Sequence, residues 1–227
     1  MLSLEYVSLT FGDFALTADF NLAGPGVTAI IGPSGGGKST LLSLIAGFHE
    51  PDEGRLTWNS TDLTGVPPGL RPAAMLFQDN NLFPHLDCIT NVALGASPTA
   101  KPPPDILARA RTALETVGLA GFENRKPGGL SGGQQSRVAL ARLLLTDRPL
   151  VLMDEPFSAL GPAQRREMLE LVKALLPEAT ILMVTHDPED AQETKHTIVV
   201  AGGKVSQPRS TEALFADPPP DLDAYLR

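Results

Sequence analysis

Eight consecutive residues carry the first chemical signal. Gly32-Pro33-Ser34-Gly35-Gly36-Gly37-Lys38-Ser39 matches G-x-x-x-x-G-K-[ST], and it sits between an apolar run, Val27 to Ile31, and a helical pattern, Ser39 to Ala46. Glycines at these positions let the backbone curl until successive N–H groups face one anion, and a helix N-terminus adds partial positive charge there. Lys38 has the reach for the outer phosphates of a nucleotide, and the Ser39 hydroxyl is a hard oxygen donor suited to Mg²⁺. Thr40 shares the same first helical turn and is taken with the phosphate site. The bland alternative is a glycine turn with an incidental lysine; the complete motif between strand and helix weighs heavily against it.

Leu150-Val151-Leu152-Met153-Asp154-Glu155 is the second signal. An apolar strand ends there in two carboxylates, at the edge where open α/β sheets bind ligands. Asp154 suits a metal ligand, directly or through water, and Glu155 suits a general base that polarises an attacking water. Two acids also cap strand ends without chemical purpose. Alone the two readings weigh equally; the phosphate loop tips the balance towards chemistry.

Such residues need a scaffold that brings strand ends together. Residues 2–22 alternate and are rich in Leu, Val, Phe and Thr, which predicts two antiparallel strands broken near Gly12-Asp13. Val27–Ile31, Ala73–Phe77, Leu150–Met153, Thr180–Val184 and Thr197–Ala201 are short continuous apolar runs of the kind covered on both faces in a parallel sheet. Helical patterns cover Ser39–Ala46, Asp105–Val117, Gly132–Leu145 and Pro162–Leu176. Alternating strands and helices predict an α/β fold. Residues 79–146 hold no strand-like run and read as a helical insertion between two parts of the core, 1–78 and 147–206. The tail, 207–227, carries Pro208 and Pro218-Pro219-Pro220 and reads as a short surface appendage.

Composition bounds the rest. The chain has 227 residues, and at this length about 70% of the unfolded surface can be buried, so no disulfide is needed. Its 18 Lys and Arg against 26 Asp and Glu give a formal charge of -8, which argues against a general nucleic-acid binder. The single cysteine, Cys88, excludes an internal disulfide and any multi-cysteine metal site, and fits a reducing compartment. No stretch is apolar over the roughly 20 residues that a membrane helix needs. The start, with Glu5 among apolar residues, does not read as a signal peptide. His49, His85 and His196 are scattered without ligand spacing.

Leu130-Ser131-Gly132-Gly133-Gln134 heads a helix. Ser131 is a good N-cap, but two glycines there weaken a helix unless something must approach the backbone closely. With this pentapeptide the chain resembles the ATP-binding subunits of ABC transporters, whose signature is LSGGQ; the resemblance covers nearly the whole chain with the motifs in the family's order. It implies a P-loop NTPase core of mainly parallel sheet, an N-terminal antiparallel β subdomain and an inserted helical subdomain. It implies ATP and Mg²⁺ as ligands. Gln78 then resembles the glutamine that senses the metal and γ-phosphate, and His186, in Val184-Thr185-His186-Asp187, the histidine that contacts γ-phosphate. Phe11 lies where the family places an aromatic on adenine; a strand-end core phenylalanine is the alternative reading. Ser131, Gly132, Gly133 and Gln134 would face ATP held by a second copy of the chain, in a head-to-tail dimer.

The resemblance also implies a separate integral-membrane permease and, indirectly, a substrate-binding protein. The subunit would sit on the cytoplasmic face of the inner membrane through that permease. Arg71 to Leu86 is similar to the ATP-binding subunits of thiamine importers, while sulfate, iron and polyamine importers stay open. A soluble ABC ATPase without a transport role is disfavoured, since the chain has neither long coiled-coil insertions nor a second cassette. One departure stands out. Ser158-Ala159-Leu160-Gly161 has glycine where the family usually has aspartate, so weaker coupling between two protomers is expected, with activity retained through Glu155.

Overall fold

The computed structural model describes residues 1–99 and 101–219. In chain order the strands are β1 (Leu2–Phe11), β2 (Phe14–Leu22), β3 (Gly26–Ile31), β4 (Glu53–Trp58), β5 (Thr61–Asp62), β6 (Ala73–Leu76), β7 (Leu150–Asp154), β8 (Thr180–Val184), β9 (His196–Ala201), β10 (Lys204–Val205) and β11 (Arg209–Ser210). The helices are α1 (Lys38–Ala46), α2 (Cys88–Ala93), α3 (Pro104–Thr116), α4 (Gly132–Leu145), α5 (Pro162–Leu175), α6 (Pro188–Gln192) and α7 (Thr211–Ala216). They divide into two compact units. The first holds Met1–Ala73, Pro149–Asp154 and the described residues from Glu178 onward; the second holds Ala74–Arg148 and Glu155–Pro177.

The first unit joins an antiparallel and a parallel part. β1 pairs antiparallel with both β2 and β4, and β2 alternates buried and exposed residues as a strand with one covered face must. β3 lies between β8 and β9, with β7 beyond β8, all parallel. β8 is buried along its whole length, and β3, β7 and β9 nearly so, which matches their continuous apolar runs. The fourteen-residue gap between α1 and β5 contains β4, whose first half, Glu53-Gly54-Arg55, is exposed and polar. That polarity hid the strand from a pattern of apolar runs.

The tail differs from expectation. β11 pairs with β9, and Leu214 of α7 is 1% exposed among Ala29, Ile31, Ala191 and Val199. The hydroxyls of Thr197 and Thr211 lie 2.8 Å apart in the same buried layer. Residues 209–216 are thus part of the first unit's core, not an appendage; the prolines on either side made the segment read as a tail, while Thr211, Leu214 and the partly buried Phe215 anchor it. Pro220 and the residues after it lie outside the described residues.

The second unit begins with β6 and is otherwise helical among its described residues: α2, α3 and α4 pack on one another and α5 packs on α4. Its bounds differ from 79–146, because Glu155–Pro177, with α5, belongs to it. Met168, Leu169 and Val172 form the buried stripe of α5 at helical spacing. Asn91 of α2 is fully buried and ties the preceding loop, donating to the carbonyls of Phe83 and Leu86 and accepting from the Phe83 N–H.

Candidate functional site

β3 ends at Ile31, and the chain turns into the glycine loop at Gly32 with φ 142°. A methyl group built there would stand 2.0 Å from the Val200 carbonyl oxygen, so this position admits only glycine. Gly37 (φ 108°) is the N-cap of α1, and a methyl there would meet the Phe14 ring at 2.8 Å and Leu16 at 2.9 Å. α1 has no side-chain cap and no acidic residue in its first turn. Its first N–H groups and positive dipole end are therefore left for an external anion.

Lys38 is buried, and its ammonium folds back over the loop to donate to the carbonyls of Gly32 (2.8 Å) and Pro33 (3.0 Å). The Ser39 hydroxyl donates to Oδ1 of Asp154 at 3.1 Å. Asp154 closes β7 and lies in register with Val184 of β8. His186 follows β8 by two residues and is exposed. Residues from the ends of three neighbouring parallel strands, β3, β7 and β8, are thus gathered along one edge of the first unit. A cationic amine, two oxygen donors and an imidazole at a helix N-terminus form a constellation suited to a polyphosphate and a hard divalent cation.

The turn carrying His186 has its own support, which the sequence reading did not pick out. Thr185, 4% exposed, donates from Oγ1 to Asp190 Oδ2 (2.9 Å), and the same oxygen accepts from the Asp187 N–H (3.1 Å). The Thr185 N–H bonds to the Ile30 carbonyl (3.2 Å), tying the turn to the end of β3. The short spacing of Thr185, Asp187 and Asp190 around His186 was the available signal. Phe11 is 44% exposed at the end of β1, and its ring meets His49 edge-on at 4.7 Å.

The remaining candidates belong to the second unit. Glu155 is half-buried with φ 45°, a left-handed backbone rare for a side chain of this kind and of the sort that strained functional residues adopt. Gln78 is exposed, just beyond β6. Ser131 caps α4 in a reciprocal pair, its hydroxyl accepting from the Gln134 N–H (3.4 Å) and Gln134 Oε1 accepting from the Ser131 N–H (3.0 Å). Gly132 and Gly133 have ordinary helical backbone. A methyl on either would touch only Leu160 Cδ2, at 3.9 and 3.8 Å, an ordinary contact. Nothing among the described residues requires glycine at these two positions. The N-cap of α5 is Gly161, which offers no side-chain cap.

Comparison with known proteins agrees with this geometry. The family model "ABC transporter" matches residues 17–158. The chain is 56% identical to a thiamine import ATP-binding protein ThiQ of Cereibacter sphaeroides, over 100% of this chain and 99% of that protein. It is 49% identical to the ThiQ of a Ruegeria species over the same shares. A solved dimeric structure, the ATP-binding cassette MJ0796 in a post-hydrolysis state with ADP and Pi, superposes with a TM-score of 0.77 at 30% identity, over 93% of this chain and 99% of that one. With its glycine loop, paired strand-end carboxylates and LSGGQ helix, the chain belongs to the ABC transporter family and has the fold of that family's ATP-binding cassettes.

Proposed function

We propose that this chain is the ATP-hydrolysing subunit of a thiamine importer, working on the cytoplasmic face of the inner membrane through a separate permease fed by a substrate-binding protein. The observation that carries the substrate is the 56% identity, across the whole length of both chains, to a thiamine import ATP-binding protein. The phosphate loop binds the polyphosphate of ATP through the α1 N–H groups, and Lys38 exchanges its two loop carbonyls for phosphate oxygens. Ser39 and Asp154 are the residues that would hold Mg²⁺, which neutralises phosphate charge. Glu155 would take the proton of the attacking water, Gln78 would sense the metal and γ-phosphate, and His186 would contact the γ-phosphate. Phe11 stacks on adenine.

Two copies pair head to tail, and Ser131, Gly132, Gly133 and Gln134 of one cover the ATP of the other. The freedom around Gly132 and Gly133 within this chain supports that reading: the glycines serve a close approach from outside it. Catalysis is positioning and electrostatics, as phosphoryl transfer requires. The test is ATPase activity of the chain assembled with its permease in lipid, with binding protein added with and without thiamine. Stimulation by thiamine-loaded binding protein, absent in Glu155→Gln, is the expected result. Steady activity without a thiamine response overturns the substrate assignment, and Glu155→Gln turning over at the wild-type rate removes Glu155 from catalysis.

A further inference from the structure

The turn after Gln78 is an unusual piece of backbone. Asn80 and Asn81 are both left-handed, with φ 57° and 46°. The Asn80 Oδ1 atom is buried and accepts no hydrogen bond among the described residues. Left-handed pairs and orphaned buried acceptors are both unfavourable, so something must hold this turn in place.

That something is α4. Arg142, half-buried, donates to the carbonyl of Asn80 (2.7 Å) through one terminal nitrogen and to that of Asn81 (2.7 Å) through the other. Burial lowers the guanidinium pKa from its ordinary value while Asp79 opposes the shift, and the group stays charged. Nearer the head of α4, Asn80 Nδ2 donates to the buried Ser136 hydroxyl (3.4 Å), which itself donates to the carbonyl of Gly132 (3.2 Å). A continuous hydrogen-bond chain thus runs from the turn after Gln78 into the LSGGQ segment, and a charged fork pins the same turn farther along the helix.

We propose that Arg142 is a positioning residue that makes the turn after Gln78 and the helix headed by LSGGQ one mechanical piece, so that a push on the turn moves the signature. This rests on the importer reading for the source of the push, but the rigid link itself does not. A lysine would supply one point charge in place of the planar fork and could not hold both carbonyls in fixed geometry.

Two measurements test it. In the purified full chain, hydrogen exchange should speed by about tenfold at the Asn80 and Phe83 amides in Arg142→Ala, with α4 changed less than about threefold. In the assembled complex, stimulation by loaded binding protein should fall about fivefold or more in Arg142→Ala and by less in Arg142→Lys, while unstimulated kcat and the KM for ATP stay within about twofold. Should Arg142→Ala fail to fold, Arg142→Lys and Ser136→Ala carry the same tests. Unchanged exchange in the turn overturns the link. Equal loss of stimulated and unstimulated rates overturns the positioning role and leaves Arg142 structural. A wild-type complex that does not respond to thiamine-loaded binding protein overturns the importer reading instead, and the exchange measurement still decides the link.

Discussion

Arg71 offers the sharpest test of how the phosphate loop's helix is held. It is 1% exposed, the largest side chain so deeply buried among the described residues. Its Nε donates to the Val66 carbonyl (2.7 Å), and Nη1 to the carbonyls of Leu44 (2.8 Å) and Ile45 (2.9 Å), in the last turn of α1. The last carbonyls of a helix lack partners in the helix and form the negative end of its dipole. Arg71 therefore caps the end of α1 opposite the end that binds phosphate. In Arg71→Met the Leu44 carbonyl keeps the Gly47 N–H (3.1 Å), but those of Val66 and Ile45 lose the guanidinium donors. Two dry acceptors at about 1–3 kcal/mol each, plus about 0.5–1 kcal/mol of dipole interaction, are partly offset by no longer burying a charge. The expected loss is about 3–4 kcal/mol, or roughly 6–16 °C in melting temperature for a chain of this size. Scanning calorimetry of the full chain reads it. ATP binding at 15 °C should stay within about threefold, since Arg71 touches the far end of α1 and no ligand. A shift below about 2 °C would refute the capping account.

The other predictions concern the site and its surroundings. Gly32→Ala forces a methyl to 2.0 Å from the Val200 carbonyl at φ 142°, and should abolish detectable ATP binding and destabilise the first unit by about 2–4 kcal/mol in urea unfolding. Thr185→Val removes the hydroxyl shared by Asp190 and the Asp187 N–H; kcat should fall about tenfold with the Kd for ATP within about threefold. Gly161 has φ −69° and open space around its Cβ position, so Gly161→Asp should cap α5 for a few tenths of a kcal/mol. It should also raise ATP cooperativity in the assembled complex; unchanged cooperativity counts against a coupling role for that position. Burial raises the Cys88 thiol pKa, with Asp87 adding to the effect, so at pH 8 the folded chain should react with iodoacetamide about 100-fold more slowly than the urea-unfolded chain.

Local pattern settled a large part of this protein. The phosphate loop is legible because eight adjacent residues specify a backbone curl and a helix start with no help from elsewhere. β3, β7 and β8 are legible because strands covered on both faces must be apolar throughout. The cap of α4 is legible because Ser131 and Gln134 need only each other. What the sequence could not determine depends on partners far away in the chain. β4 is a strand because β1 pairs with it, although its own first half is polar. The tail joins the core through Thr211, Leu214 and Phe215, whose burial needs β9 and α6 already in place. Arg71 and Arg142 read as surface cations by composition, yet each is spent on backbone carbonyls 26 to 62 residues away. Sequence alone determined the groups that bind phosphate, because their geometry is local; only the tertiary structure decided what holds those groups still, because a buried hydrogen bond is defined by which distant carbonyl has lost its water.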